Sequence, residues 1–219
     1  MNILIVSATE AEIAPLTEHF KSASLPATIA GGIVISGVGM LNTAYELTKH
    51  LQANKYDLAL QVGVAGSYTS NIAPGDLVFV TSDQYGDLGA EDHDNYLDIF
   101  EMGLLNPNMP PSIVGKMLTP LLPVHNRIRM PQVSGLTVNT VSGNERTINL
   151  RKEKYHCDVE SMEGAAFHYI CLREKIPFAQ VRAISNYVTP RDKSQWKMKE
   201  AITNLNTWLI DFIENQLTY

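Results

Sequence analysis

Leu58-Ala59-Leu60-Gln61-Val62, running straight into Gly63-Val64-Ala65-Gly66-Ser67, is the stretch that decides the fold class. Its first part is apolar without alternation, so both faces of such a strand must be covered, and helices on both sides of a sheet do that. Short runs of the same kind recur outward from it: Ile3 to Val6 and Ile33 to Ser36 before it, then Leu77 to Val80, Leu136 to Val141 and Ala179 to Ile184 after it. Helical patterns fill the intervals at about 10–20, 40–52, 145–154, 161–174 and 194–215. Strands alternating with helices predict an α/β sandwich.

The chain has 219 residues, 45% hydrophobic and 18% charged, which fits one globular domain over 1–219. A formal net charge of −6 argues against a nucleic-acid partner, because attraction to a phosphate backbone needs a basic face that displaces counterions. The apolar start, Ile3 to Val6, has no basic leader and meets Glu10 and Glu12, so it reads as a buried strand rather than a signal peptide. No uncharged apolar run approaches the ~18 residues that span a bilayer, and no membrane partner is expected. Cys157 and Cys171 lie fourteen positions apart without CxxC spacing, as free core thiols do in a reducing compartment. The expectation is a cytoplasmic protein.

Ligands of open α/β sheets collect at the carboxyl ends of the strands. Three such places stand out: Ser7-Ala8-Thr9-Glu10-Ala11-Glu12, Gly63 to Ser67, and Ser185-Asn186-Tyr187. Thr9 and Glu12 have the spacing of a helix capping box, in which the glutamate bonds the backbone at the helix start. The same position puts a carboxylate at a crevice mouth, where it could deprotonate a water. The turn expected at Gly63 to Gly66 would bring the backbone amides of Val64, Ala65 and Gly66 close to a ligand, or simply redirect the chain. Without lysine or arginine it is poorly equipped to hold phosphate. Glu160-Ser161-Met162-Glu163-Gly164-Ala165-Ala166 reads as the opening of a helix, where carboxylates either favour the dipole or accept from the hydroxyls of a vicinal diol. Spacing leaves these alternatives open.

The stretch from Asp83 to Pro111 is irregular but carries Tyr85, Tyr96, Phe100, Met102, Leu104 and Leu105, which suits a functional loop or lid better than a solvated linker. The six histidines are scattered without ligand spacing, and neither a metal nor a cofactor is indicated. Arg151-Lys152-Glu153-Lys154 is expected to be a solvated helix face.

Taken in order, Ser7 to Glu12, Gly63 to Gly66, Val159 to Ala166 and Arg182-Ala183-Ile184-Ser185-Asn186 resemble the motifs of the nucleoside phosphorylase and nucleosidase superfamily across essentially the whole chain. Tyr85-Gly86-Asp87-Leu88-Gly89-Ala90-Glu91, Glu160 to Ala166, and Ser185-Asn186-Tyr187 followed by Arg191-Asp192 resemble the futalosine hydrolase family within it. That resemblance implies a three-layer sandwich with a central mixed β-sheet flanked by helices. It also implies hydrolysis of futalosine, an inosine with a carboxyphenyl ketone on its 5′ side, to hypoxanthine and dehypoxanthine futalosine in menaquinone biosynthesis.

The resemblance also carries roles onto residues. Glu12 is the water-activating base, Glu163 grips the ribose hydroxyls, Met162 packs beneath the sugar, and Asn186, with Ser185 beside it, contacts the base at N7 and the 6-substituent. Arg146 and Thr147 fall where methylthioadenosine nucleosidases place an aromatic and an aliphatic residue against adenine, which leaves the stacking partner of the base open. Related nucleosidases complete the pocket across a subunit interface, so a homodimer or higher homo-oligomer is expected. Other readings are a methylthioadenosine or adenosylhomocysteine nucleosidase, which normally carries Asp in place of Asn186, a phosphorolytic enzyme, and a non-catalytic nucleoside-binding protein. The presence of both Glu12 and Glu163 counts against the last.

Overall fold

The computed structural model describes residues 2–22, 29, 32–93 and 95–216; residues 1, 23–28, 30, 31 and 217–219, and Asp94 within the irregular stretch, lie outside them. In chain order the elements are β1 (Ile3–Ser7), α1 (Glu10–Ser22), β2 (Ile33–Ile35), α2 (Met40–Ala53), β3 (Leu58–Ser67), β4 (Leu77–Asp83), β5 (Gly89–Asp92) and β6 (Asn95–Asp98). They continue with β7 (Met117–Leu118), β8 (Gln132–Thr137), α3 (Glu145–Tyr155), β9 (Val159–Ser161), α4 (Gly164–Glu174), β10 (Phe178–Tyr187) and α5 (Met198–Asp211).

β3 organises the sheet because it is long enough to hold two neighbours on one edge. Its start runs parallel to β1, with Ile3 opposite Leu58, and its end pairs antiparallel with β9, Gly66 opposite Glu160. The other edge carries β10 in parallel from Ala59 to Ser67. β10 then pairs antiparallel with β4, β4 parallel with β8, and β8 parallel with β9. These five strands close on themselves, while β1 and β2 extend from β3 as an open, parallel wing.

Side chains alternate across the pleat, so an apolar run feeds both faces. Ile3 and Ile5 pack with Ile13 and Leu16 of α1 and with Leu205 and Leu209 of α5. Leu4 and Val6 pack on the opposite face with Leu47 and Leu51 of α2 and Phe167 and Cys171 of α4. Each such fully buried side chain contributes ~1.5–3 kcal/mol. The expected mixed sheet flanked by helices is present, and its partial closure is an addition.

Several boundaries differ from expectation. β8 spans Gln132–Thr137 rather than 136–141, since beyond Thr137 the chain leaves the sheet and Asp87 takes the N–H groups of Asn139 and Thr140. Val159–Ser161 pairs as β9, so the helix expected from 161 starts at Gly164. Gly63 to Gly66 is not a turn but the continuation of β3. Within 83–111, β5 and β6 form a hairpin. Arg151 is not on a solvated face: Ile148, Arg151 and Tyr155 form the inner side of α3, and Arg151 is 6% exposed. Among the described residues no helix is long and apolar enough to cross a membrane, and both cysteines are free and buried.

Candidate active site

β1, β3 and β10 meet the start of α4, and the side chains of Glu12, Arg182 and Glu163 gather around Gly63 and Val64 of β3. Glu12, in the first turn of α1, is 8% exposed. Its Oε2 accepts from Thr9 N–H and from Thr9 Oγ1, both at 3.0 Å, which is the glutamate half of a capping box. Its Oε1 accepts from Val64 N–H at 3.0 Å, so the same carboxylate faces the end of β3. The capping and crevice readings of Glu12 therefore describe one geometry.

Arg182, on β10, is 1% exposed; it stands in a motif the sequence analysis singles out, but without a role of its own there. Its Nη1 donates to Glu163 Oε2 at 3.3 Å and to Val64 O at 3.4 Å, and its Nη2 donates to Gln61 Oε1 at 3.0 Å. The signal available was a cation inside the otherwise apolar run Ala179 to Ile184, where charge is affordable only if paired. A β-carbon on Gly63 would lie 2.8 Å from both Arg182 Nη1 and Glu12 Oε1, so glycine is what lets both side chains lie against the strand at this point. Glu163 completes the cluster, with Oε1 accepting from Gly39 N–H at 3.1 Å. Met162, half-buried, precedes it, just after β9.

Asn186 and Ser185 lie where β10 shifts register against β3, and Ser185 Oγ is 3.2 Å from Ala65 O and 2.7 Å from Asn186 Oδ1. Asn186 Nδ2 donates to Tyr187 O at 2.9 Å. Asn186 borders a cavity of about 60 Å³ with Gly66, Val141, Glu160, Arg191 and Trp196. Arg146 and Thr147, in the first turn of α3, border a different and larger cavity of about 700 Å³ with Asp87, His93 and Tyr96. Val141 borders both cavities, with Ser142 on the smaller and Gly143 on the larger, so Arg146 and Thr147 lie in a cavity adjoining that of Gly66 and Asn186, while Val64, Ala65 and Ser185 lie beside Asn186 on β3 and β10.

Glu160, one candidate for diol binding, is occupied otherwise. Its carboxylate accepts from Ser142 N–H at 2.8 Å, Ser142 Oγ at 2.6 Å, Tyr68 OH at 2.5 Å and Arg151 Nη1 at 3.2 Å. Arg151 also pairs with Asp87 at 3.5 Å. This buried cluster anchors the segment at 140–142, which borders both cavities. Burial and the adjoining Glu160 push the Tyr68 hydroxyl pKa up, so it stays a donor.

Chemically, the arrangement offers a carboxylate able to take a proton from water, a second able to accept from hydroxyls, and a guanidinium neutralised by the second. Among the described residues no group of three or more His, Cys, Asp or Glu is placed to hold a metal ion.

The model of a family described as the phosphorylase superfamily matches residues 2–214. The futalosine hydrolase of Thermus thermophilus is 28% identical over 176 residues, 78% of this chain and 75% of that one. Among solved structures, the 5′-methylthioadenosine/S-adenosylhomocysteine nucleosidase of Neisseria meningitidis in complex with methylthio-immucillin-A superposes with a TM-score of 0.78 at 18% identity, covering 99% of each chain. The native futalosine hydrolase of Helicobacter pylori superposes with a TM-score of 0.77 at 16% identity, covering 99% of this chain and 98% of that one.

Proposed function

The chain belongs to the phosphorylase superfamily, and we propose that it is a nucleosidase that hydrolyses the N-glycosidic bond of futalosine, releasing hypoxanthine and dehypoxanthine futalosine in menaquinone biosynthesis. The observation that carries this reading is the pair of buried carboxylates on either side of one bare strand position: Glu163 bonded to the Arg182 guanidinium, and Glu12 held against Gly63 and Val64. The likeness to the futalosine hydrolase of Thermus thermophilus supports the choice of substrate.

Cleaving a nucleoside builds positive charge on the sugar and negative charge on the departing base, so both ends need stabilisation. Glu12 orients and deprotonates the attacking water, held for that task by Thr9 and Val64 N–H. Glu163 accepts the ribose hydroxyl hydrogens, with Met162 beneath the sugar. Arg182 is neutralised by Glu163, which leaves it ill suited to a phosphate dianion and favours water as the acceptor. Asn186 donates its NH2 to O6 of the base, while any proton reaching N7 comes from solvent or another group. Arg191, which stacks on Trp196 at 5.4 Å, and Arg146, which borders the larger cavity, are the two cations we propose for the carboxylate of the 5′ arm.

We take residues 1–219 as one catalytic domain working as a homodimer in the cytoplasm, where a reducing medium suits two free thiols. Support for the dimer comes from α2, whose Leu41 and Tyr45 are 83% and 63% exposed just beyond Gly39, the residue that holds Glu163. Sedimentation of an active monomer would remove that part.

The experiment is to incubate the pure protein with futalosine, inosine and methylthioadenosine, with and without phosphate, and identify the base released. Hypoxanthine from futalosine in phosphate-free buffer is expected. Preferential release of adenine from methylthioadenosine would assign the other nucleosidase activity, and no release from any of the three would leave a binding protein.

A further inference from the structure

Glu163 is the residue from which α4 starts, yet its side chain does not cap the helix. The carboxylate is turned to Gly39 N–H and Arg182 instead. The first N–H groups of a helix must still find acceptors. Gly164 N–H reaches Ser161 Oγ at 3.4 Å, and Ala165 N–H donates to Thr137 Oγ1 at 2.7 Å. Thr137, the last residue of β8, is fully buried, and its hydroxyl donates to Asp83 Oδ1 at 2.8 Å. Asp83, the last residue of β4, is 1% exposed, and the same oxygen accepts from Gln84 N–H at 2.9 Å. Its other oxygen lies against Gly164, where any β-carbon would overlap it. The glycine thus admits a carboxylate to the start of the helix, where the dipole favours negative charge.

A hydroxyl has one proton, and committing it to Asp83 turns the lone pairs of Thr137 toward Ala165. We propose that Thr137, oriented by Asp83, is a positioning residue for Glu163: it caps α4 in the glutamate's place and so leaves the Glu163 carboxylate to the site. The proposal rests on the reading of Glu163 as the residue that grips ribose. Without the hydroxyl, Ala165 N–H is buried and unpaired, which is costly, and Glu163 at the N-cap position is the side chain placed to turn back onto it.

Thr137→Val removes the hydroxyl at nearly constant shape, and Thr137→Ser keeps it. Crystal structures of both variants are combined with kinetics on a 5′-substituted inosine and its 2′-deoxy analogue, in parent and Glu163→Gln backgrounds. In Thr137→Val the Glu163 carboxylate is expected to leave Gly39 and Arg182. Its kcat/KM on the ribonucleoside falls roughly 10- to 100-fold, as displacement of a positioned group does. The 2′-deoxy substrate loses much less, Thr137→Ser restores both, and Thr137→Val adds nothing once Glu163 is Gln. A Glu163 carboxylate unmoved in Thr137→Val, with equal losses on both substrates, overturns the proposal. If Glu163→Gln is indifferent to the 2′-hydroxyl, the ribose reading is what fails, and the crystal structure still decides the cap. Thr137→Ala serves in the same scheme should Thr137→Val not fold.

Discussion

Arg182 Nη1 donates to Glu163 Oε2 at 3.3 Å with both side chains almost wholly buried. A buried pair of this kind adds little net stability over apolar packing, but removing one partner strands the other charge, at ~3–5 kcal/mol. Arg182→Met is therefore expected to lose about that much in denaturant unfolding and to lose turnover as well. Arg182→Met combined with Glu163→Gln regains much of the stability and none of the activity. A single variant as stable as the parent contradicts this account of the pair.

Glu12 caps α1 with one oxygen and faces β3 with the other, and Glu12→Gln separates the two roles. The amide keeps an acceptor for Thr9 N–H but is no base. Turnover is expected to fall ~100- to 10,000-fold, with a stability loss limited to the Val64 N–H contact, which the amide NH2 cannot accept. Near-normal turnover would leave Glu12 a cap only.

Asn186 is expected to select the base. Its NH2 suits O6 of hypoxanthine, an acceptor, whereas an Asp suits the 6-amino group of adenine. Sites built around such bonds discriminate by as much as ~10,000-fold. Asn186→Asp should weaken cleavage of 6-oxopurine nucleosides and narrow the gap to 6-amino analogues with the same 5′ arm. Unchanged relative activities on matched substrates would remove Asn186 as the selector.

Burial raises the Asp83 carboxyl to about 6, against the opposing pull of Thr137 and Arg182. The folded protein thus binds this proton more tightly than the unfolded chain does. The stability this contributes is present at low pH and is lost as pH rises through about 6. His168 acts in the opposite sense, since burial lowers it to about 4 and its contribution is lost as pH falls toward that value. Asp83→Asn removes the first effect and keeps the second. The stability difference, parent minus variant, should therefore shrink as pH rises from about 4 to about 6. A difference independent of pH over that range would show that Asp83 is not perturbed.

The fold was most legible where strands are apolar on both faces, as in β1, β3 and β10, because burial there demands helices on both sides. It was least legible in β9: three residues carrying Glu160 and Ser161 have no local pattern to tell them from a helix start, and only pairing with Thr137 and Gly66 makes them a strand. Closure of the sheet likewise depends on long-range pairings. At the site, Glu12 was visible as a carboxylate after a predicted strand and Glu163 as one in a predicted helix start. Arg182 was hidden inside a strand, and Thr137 and Asp83 matter through hydrogen bonds that link positions 54 and 28 residues apart in sequence. The hydrogen bonds of Asn186 to Ser185 and Tyr187 also fit a residue that closes the strand end, so its contact with the base rests on the resemblance.

The most direct test of hydrolysis is turnover of futalosine in 18O-labelled water with phosphate present, followed by mass spectrometry of the sugar product. Attack by water prepared by Glu12 predicts one 18O atom at the anomeric carbon, release of hypoxanthine without any need for phosphate, and loss of both in Glu12→Gln. A sugar 1-phosphate formed only when phosphate is supplied would contradict the account.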